Sequence, residues 1–504
     1  MTGGIAARMA KGVVWVAAAR VMVNAIAFIS TILLARLLTP SDFGIVAIAS
    51  AIAAIVTAVT ELSMAEALIQ HRDPTDEYFH SAWTMNMARS SVVGLLIAAL
   101  ALPIARLYGD PRLFPILIVV GIVTAMSGAS NPQLFMFQRK LIFWQEFAFN
   151  VSQKMAGFVA AIAVAALFRS HWALVCGMVA SQLCAIVVSY VLLPFRPKLR
   201  FVEARELLSF SVWLTLSRAV NMVNWRSDQL MIGYFTGATQ LGFYTVGENL
   251  ANLPTREALA PLTQTLFPGF SRLSHDMERL RAAYRRAHAI LCAIAFPIGI
   301  GFAAVAPSTV LLLMGGKWLP SVPMVQVLSV FAALNVLTMP LQALAMATGN
   351  TRVLFGRDVR NLLIRIPFML VGFWFGWRSS VGPVMGIIYA GAASATIGNL
   401  LNMVLVRRII GVGVIEQLRS VWRTALGSVV MVLAALSAQT TVLAATSSDM
   451  LLARIAIGVA AGGLAYAATL IALWIAQGRP AGAEAEIVTL AGQVRQKFRP
   501  AAQT

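Results

Sequence analysis

The 504-residue chain is 59% hydrophobic and 12% charged, whereas an average soluble domain is roughly 45–50% apolar and about 25% charged. No soluble core hides so much apolar surface, so the natural solvent of these segments is lipid. The formal net charge of +19 falls mainly in the connections between apolar runs, which is the pattern of membrane topology and not of a nucleic-acid binder.

In chain order, the apolar runs predict an all-α integral membrane protein with about fourteen transmembrane helices. They lie near 13–35, 43–62, 82–105, 113–130, 147–168, 172–193, 209–234, 241–268, 287–314, 322–347, 358–377, 381–406, 424–445 and 452–476. Each is close to the ~20 residues that span hydrocarbon. The runs are continuous and rich in Ala, Leu and Val, not alternating, which excludes a closed barrel. Arg8 and Lys11 precede the first run, which is too long for the core of a signal peptide and is kept as a span. Charges at Asp358, Arg360 and Arg365 interrupt the eleventh run, so its boundary is the softest. The three cysteines, Cys176, Cys184 and Cys292, sit in apolar runs and read as small buried hydrophobes.

An even number of spans puts both termini on one side. That side carries 24 Lys and Arg in its loops and tails, against 6 on the other. The bias places both termini in the cytoplasm. Two basic connections look amphipathic and are expected to lie at the membrane interface: "FRPKLRFVEARELLSF", and "SRLSHDMERLRAAYRRAHAI" with Leu273, Met277, Leu280 and Tyr284 at helical spacing. The polar tail holds a weak helical stretch, "VTLAGQVRQKF", without an assigned role.

Sliding the sequence by 198 residues aligns Val14 with Val212, Trp15 with Trp213, Arg20 with Arg218 and Gly44 with Gly242. In both copies a span ends, turns tightly and begins again, with Pro40 and Gly237 supplying turn chemistry. Copies six spans apart enter in the same direction, so the repeat is parallel, with a pseudo-two-fold along the membrane normal. The expected division is 1–200 (spans one to six), 201–410 (seven to twelve), 411–478 (thirteen and fourteen) and 479–504 (tail). Two six-helix lobes of this kind describe one transporter architecture, with the substrate site between them.

Cations inside spans cost at least ~2.5–3.5 kcal/mol and persist when they face water, a partner or a ligand. Helical spacing gathers them with other polar groups. Arg20 aligns with Asn24 and Thr31; Arg89 with Asn86 and Ser90; Lys154 with Asn150 and Gln153; Arg218 with Asn221, Trp225, Asp228 and Gln229; Glu248 with Asn252 and Thr255. Single polar stripes on apolar helices imply an internal wet cavity. In the first half Glu61 and Glu66 lie near a span end, which leaves cations in excess. Such a cavity suits phosphate, pyrophosphate or an acidic sugar, because guanidinium forks match their oxygens and stay charged. The plainer alternatives are that Arg20, Arg218 and Lys154 snorkel to an interface, and that Arg226 with Asp228 and Arg256 with Glu257 are structural pairs.

The phrases "LLARLLTPSDFGIVAIASAI", "DQLMIGYFTGATQLGFYTVGENLANLP" and "LFPGFSRLSHDMERLRAAYRRA" resemble Wzx-type polysaccharide flippases, the polysaccharide-transporter branch of the multidrug/oligosaccharidyl-lipid/polysaccharide (MOP) exporter superfamily. The resemblance implies two six-helix lobes in a V, a cationic cavity, and movement of undecaprenyl-pyrophosphate-linked oligosaccharide across the bacterial cytoplasmic membrane by alternating access. It implies a pyrophosphate role for Arg20 and Arg218, and an apolar groove for the lipid tail at spans thirteen and fourteen. Asn24, Asn221 and Trp225 are then the expected sugar contacts, with Arg89 and Lys154 as further cations of the site and Asp228 and Glu248 as candidate ion-coupling acids. Expected partners are the lipid-linked cargo, membrane lipids and polysaccharide polymerase or export machinery.

A drug or cation antiporter of the same superfamily is the alternative; it would want deep carboxylates as its dominant feature. A membrane-embedded glycan polymerase would need a surface acid–base cluster, and Asp42, Asp110 and Asp449 look scattered along the sequence. The five histidines show no metal-ligand spacing, and no phosphate-binding G-x-x-x-x-G-K-[ST] stretch occurs. Neither an enzyme nor a cofactor is expected.

Overall fold

A computed structural model describes residues 2–60, 76–134, 136, 143–200, 212–445 and 451–478. Among them there are helices and turns and no strand. Glu61, Glu66, Asp449, "VTLAGQVRQKF" and the second half of "FRPKLRFVEARELLSF" lie outside the described residues, and the side chain of Trp213 is likewise not described.

The first turn shows how local chemistry sets an element. Helix α1 (Thr2–Leu37) stops before Thr39, whose extended backbone begins α2 (Pro40–Val59). Pro40 tolerates that first position because it has no N–H to leave unpaired. A capping box closes it: Thr39 and Asp42 bond each other's backbone N–H groups through their side chains. Then come α3 (Asp76–Tyr108), α4 (Leu113–Ser127), α5 (Phe143–Phe168) and α6 (Trp172–Leu192). Helix α7 (Val212–Leu273) is bent at Gly237, whose φ of 83° suits a residue without Cβ. Its arms, 212–236 and 238–273, are the seventh and eighth spans.

Beyond it lie α8 (Met277–Met314), α9 (Val322–Asn335), α10 (Pro340–Ala347), α11 (Thr351–Arg378), α12 (Pro383–Ile410), the short α13 (Val414–Arg419), α14 (Trp422–Ala445) and α15 (Leu451–Ala476). Eleven helical segments among the described residues are long and apolar enough to cross a membrane. The shorter apolar Leu113–Ser127 and the two arms of α7 complete the fourteen expected spans.

Three expectations change. The tenth span is not one helix: α9 ends at Asn335, a 3₁₀ turn covers Val336–Thr338, and α10 starts at Pro340. Pro340 lacks the N–H an unbroken helix would use and crowds the turn before it. The segment around Met277 is no separate interfacial helix. Asp276 caps α8, which continues as a single 38-residue helix into the ninth span. Leu280 and Tyr284 are fully buried against Leu341, Leu344, Val406 and Ile410, so that face packs in the bundle. The eleventh span starts earlier than expected, at Thr351, which places Arg360 and Arg365 inside the helix.

The chain forms two compact units, 1–245 and 246–504. In the first, α5 packs on α6, α3 on α4, and α1 on α5; Leu34, Leu38, Ala161, Ala165 and Ala173 make one core. In the second, α11 packs on α12, α14 on α15, and α8 on α9, α14 and α15. Its core includes Leu259, Leu291, Cys292, Phe296 and Ala333.

The internal repeat appears as a reciprocal contact inside the first unit. A Cβ on Gly44 would lie 1.7 Å from the Ala238 carbonyl oxygen, and a Cβ on Gly242 would lie 1.7 Å from the Pro40 carbonyl oxygen. Pro40 and Ala238 are themselves 198 residues apart. The starts of α2 and of the 238–273 arm therefore touch through equivalent atoms, as a two-fold relation requires.

Candidate functional site

The polar side chains of the first unit are carried on α1, α3, α5 and the 212–236 arm of α7. Arg20 and Asn24 are half-buried on α1. The α1–α5 packing near them includes an edge-on Trp15–Phe147 contact with ring centroids 5.3 Å apart. On α3, Arg89 is half-buried and its Nη2 donates to Asn86 Oδ1 at 3.1 Å and to Ser90 Oγ at 3.5 Å. Those are the neighbours helical spacing predicts. Lys154 on α5 is exposed.

On α7, Arg218 and Asn221 are half-buried, whereas Trp225 is 63% exposed. Tyr244 donates to Asp228 Oδ2 at 2.9 Å. Arg226 donates to the buried Gln229 at 2.9 Å, so its side chain rests on an amide in place of the expected carboxylate. Arg256 and Glu257 do form the expected pair, at 3.0 Å. Glu248, in the second unit, is half-buried.

The acids that look scattered in sequence are gathered in the fold. Asp42 is only 7% exposed. One of its oxygens serves the Thr39 cap, and the other accepts the His171 backbone N–H at 3.1 Å, with His171 Nδ1 3.6 Å away. Arg112 pairs with Asp110 at 2.7 Å and donates to Ser41 at 3.0 Å. Three turns, 38–39, 109–112 and 169–171, are thus cross-linked on the side expected to be outer. The hydrogen bond from Arg112 holds the Asp110 carboxyl below the usual carboxylate range, and the same contact raises the guanidinium. Burial pushes the His171 imidazole below its ordinary value, against the opposing pull of Asp42. The cluster lacks the form of a metal centre: no grouping of three His, Cys, Asp or Glu suited to a metal ion occurs among the described residues.

The second unit contains an apolar cleft of about 450 Å³ between α8, α9, α12 and α14, lined by Ala303, Val330, Phe331, Ala392, Val432 and Leu436 among others.

A model of the polysaccharide biosynthesis protein family matches residues 33–323, which is more than half of the chain and includes both copies of the repeated turn. The chain belongs to the polysaccharide biosynthesis protein family. Among its relatives is the lipopolysaccharide biosynthesis protein WzxC of Escherichia coli K12, 23% identical over 417 residues, covering 82% of this chain and 84% of that protein. Another is the succinoglycan biosynthesis transport protein ExoT of Rhizobium meliloti, 24% identical over 304 residues, 60% of this chain and 62% of that one. Among solved structures, the inward closed conformation of the lipid II flippase MurJ superposes with a TM-score of 0.73 at 12% identity, covering 93% of this chain and 100% of the other. The chain therefore has the fold of that structure, and this member of the polysaccharide biosynthesis family is a multi-pass membrane protein.

Sequence reasoning missed two groupings. One is the Asp42–His171–Arg112–Asp110 cluster, whose members come from three separate turns. The other lies on α11 and α12, where Arg360 donates to Asn402 at 2.7 Å. Asn399 and Asn402, three apart in an otherwise apolar run, were the available signal for it.

Proposed function

We propose that this family member moves undecaprenyl-pyrophosphate-linked oligosaccharide across the bacterial cytoplasmic membrane by alternating access of its two six-helix lobes, 1–200 and 201–410. Both termini lie in the cytoplasm. The observation that carries the reading is the pair Arg20 and Arg218: cations at equivalent places of the repeat, half-buried inside membrane-spanning helices. Two guanidinium groups placed alike in the repeat match the oxygens of an anionic headgroup in a wet chamber, and cations inside spans are rare enough to mark a pathway. Family membership and the fold it shares with a lipid II flippase support the same class of cargo.

In this mechanism Arg20 and Arg218 clamp the pyrophosphate through charge-assisted, two-pronged hydrogen bonds. Arg89, braced by Asn86 and Ser90, and Lys154 extend the positive path. Asn24 and Asn221 exchange hydrogen bonds with sugar hydroxyls, and the open face of Trp225 stacks on a sugar ring. Asp228 and Glu248 carry the coupling ion. The apolar cleft beside α14 receives part of the polyprenyl tail. Polymerase or export machinery takes the product on the far side.

The test is translocation of radiolabelled lipid-linked oligosaccharide in proteoliposomes. The Arg20→Ala, Arg218→Ala double variant is expected to lose about tenfold or more in rate at wild-type abundance. Wild-type rates in that variant would remove the proposed site. Asp228→Asn is expected to abolish dependence on an imposed cation gradient while binding persists.

A further inference from the structure

Every cation proposed above to meet the cargo belongs to the first unit, yet the second unit holds its own polar cluster inside membrane-spanning helices. Arg360 lies nine residues into α11, about 14 Å along its axis. Its Nη2 donates to Asn402 Oδ1 at 2.7 Å and to Asn361 Oδ1 at 3.2 Å. Its Nε is buried and meets no acceptor among the described residues. The adjacent acid, Asp358, is engaged by Arg357 at 2.7 Å. The Arg360 charge therefore rests on neutral amides.

One helical turn back along α12, Asn399 accepts from Thr338 at 2.8 Å and donates to the Leu334 carbonyl at 3.3 Å and to Asn335 Oδ1 at 3.5 Å. Leu334 and Asn335 end α9 and Thr338 ends the 3₁₀ turn that follows, so Asn399 ties α12 to both sides of the break before α10. Interrupted helices inside membranes recur where a polar ligand is handled, because freed backbone groups tolerate only protein or a wet cavity. Asn399 and Asn402 are 8% and 6% exposed, whereas Asn335 is open to its surroundings.

We infer that Arg360, Asn402, Asn399 and the broken-helix residues Asn335 and Thr338 form a glycan subsite that takes an acidic sugar of the cargo. The inference rests on the cargo proposed above. A carboxamide presents a donor beside an acceptor, the complement of neighbouring sugar hydroxyls. A guanidinium with only neutral partners adds selectivity for a carboxylate on the sugar. Asn399 already satisfies the groups at the break, and the polar atom of the cluster left without an acceptor among the described residues is the Arg360 Nε.

The experiment is binding to the purified full-length protein in nanodiscs. Two probes are compared: undecaprenyl pyrophosphate, and the lipid-linked oligosaccharide extracted from source cells lacking this protein. Wild type is expected to bind the glycan-bearing lipid about tenfold more tightly than the bare one, and Arg360→Gln to erase that preference without weakening the bare lipid. Arg218→Ala is expected to weaken both. Equal weakening of both probes by Arg360→Gln, or no preference in wild type, overturns the subsite. Binding of neither probe by wild type overturns the cargo reading itself. If Arg360→Gln does not fold, Asn335→Leu at an exposed position carries the same comparison with the same two outcomes.

Discussion

His171 is held where three turns meet, and the sign of its titration follows from its surroundings. Burial, helped by the nearby Arg112 guanidinium, makes the folded imidazole harder to protonate than the unfolded one, against the opposing pull of Asp42 and Asp110. Such a group contributes nothing above its unfolded value of about 6.5 and lowers stability as pH falls below it. Asp110 acts in the same direction. Held low by Arg112, it stabilises fully above an unfolded value of about 3.9 and loses that contribution as pH falls through its folded value. Thermal unfolding in detergent should therefore shift to lower temperature between pH 7 and pH 5, and His171→Gln should flatten that shift. Identical pH slopes for the two proteins would exclude His171 as the cause. None of this was visible along the chain, because the partners lie up to 129 residues apart in sequence and meet only when α2, α4 and α6 are packed.

At the scale of elements, the approach of α2 to the 238–273 arm leaves no space for a side chain. With a carbonyl oxygen 1.7 Å from each missing Cβ, Gly44→Ala or Gly242→Ala forces the two helix starts apart. Overpacking of this kind costs about 3 kcal/mol or more. The measurable outcome is a large loss of thermal stability and of monodisperse protein, set against Gly463→Ala, where open space surrounds the added methyl. Stability equal to the Gly463 variant would show that the helices do not approach so closely. The spans themselves were legible, since length and apolar composition decide them. Their internal breaks were less so. Gly237 announced a turn, but Pro340 sits in a run whose hydrophobicity continues on both sides, and composition alone does not reveal a 3₁₀ interruption. Tyr284 misled for the opposite reason: its helical spacing was real, but which surface that face meets depends on α10 and α12.

For the whole molecule, the parallel repeat and the positive-inside bias were readable because both are sums over many residues, tolerant of soft boundaries. Site contacts were less readable. Arg89 found its predicted neighbours on its own helix, Asn86 one turn back and Ser90 beside it, while Arg226 and Arg360 chose amide partners, which no charge pairing rule anticipates. The orientation has a direct test. In a variant lacking Cys176, Cys184 and Cys292, a cysteine at Asp110 should react with an impermeant maleimide in cells whose outer membrane is permeabilised, and one at Arg285 should react only after lysis. The reverse pattern would invert the topology.

The twin glycines also constrain how the two copies of the repeat drift apart over time. Each meets the other copy's main chain, and a carbonyl cannot be trimmed by mutation as a bulky side chain can. A lesion at either position therefore has no local suppressor at the other, and a genetic screen for revertants should return true reversions or distant repacking changes, not compensating pairs.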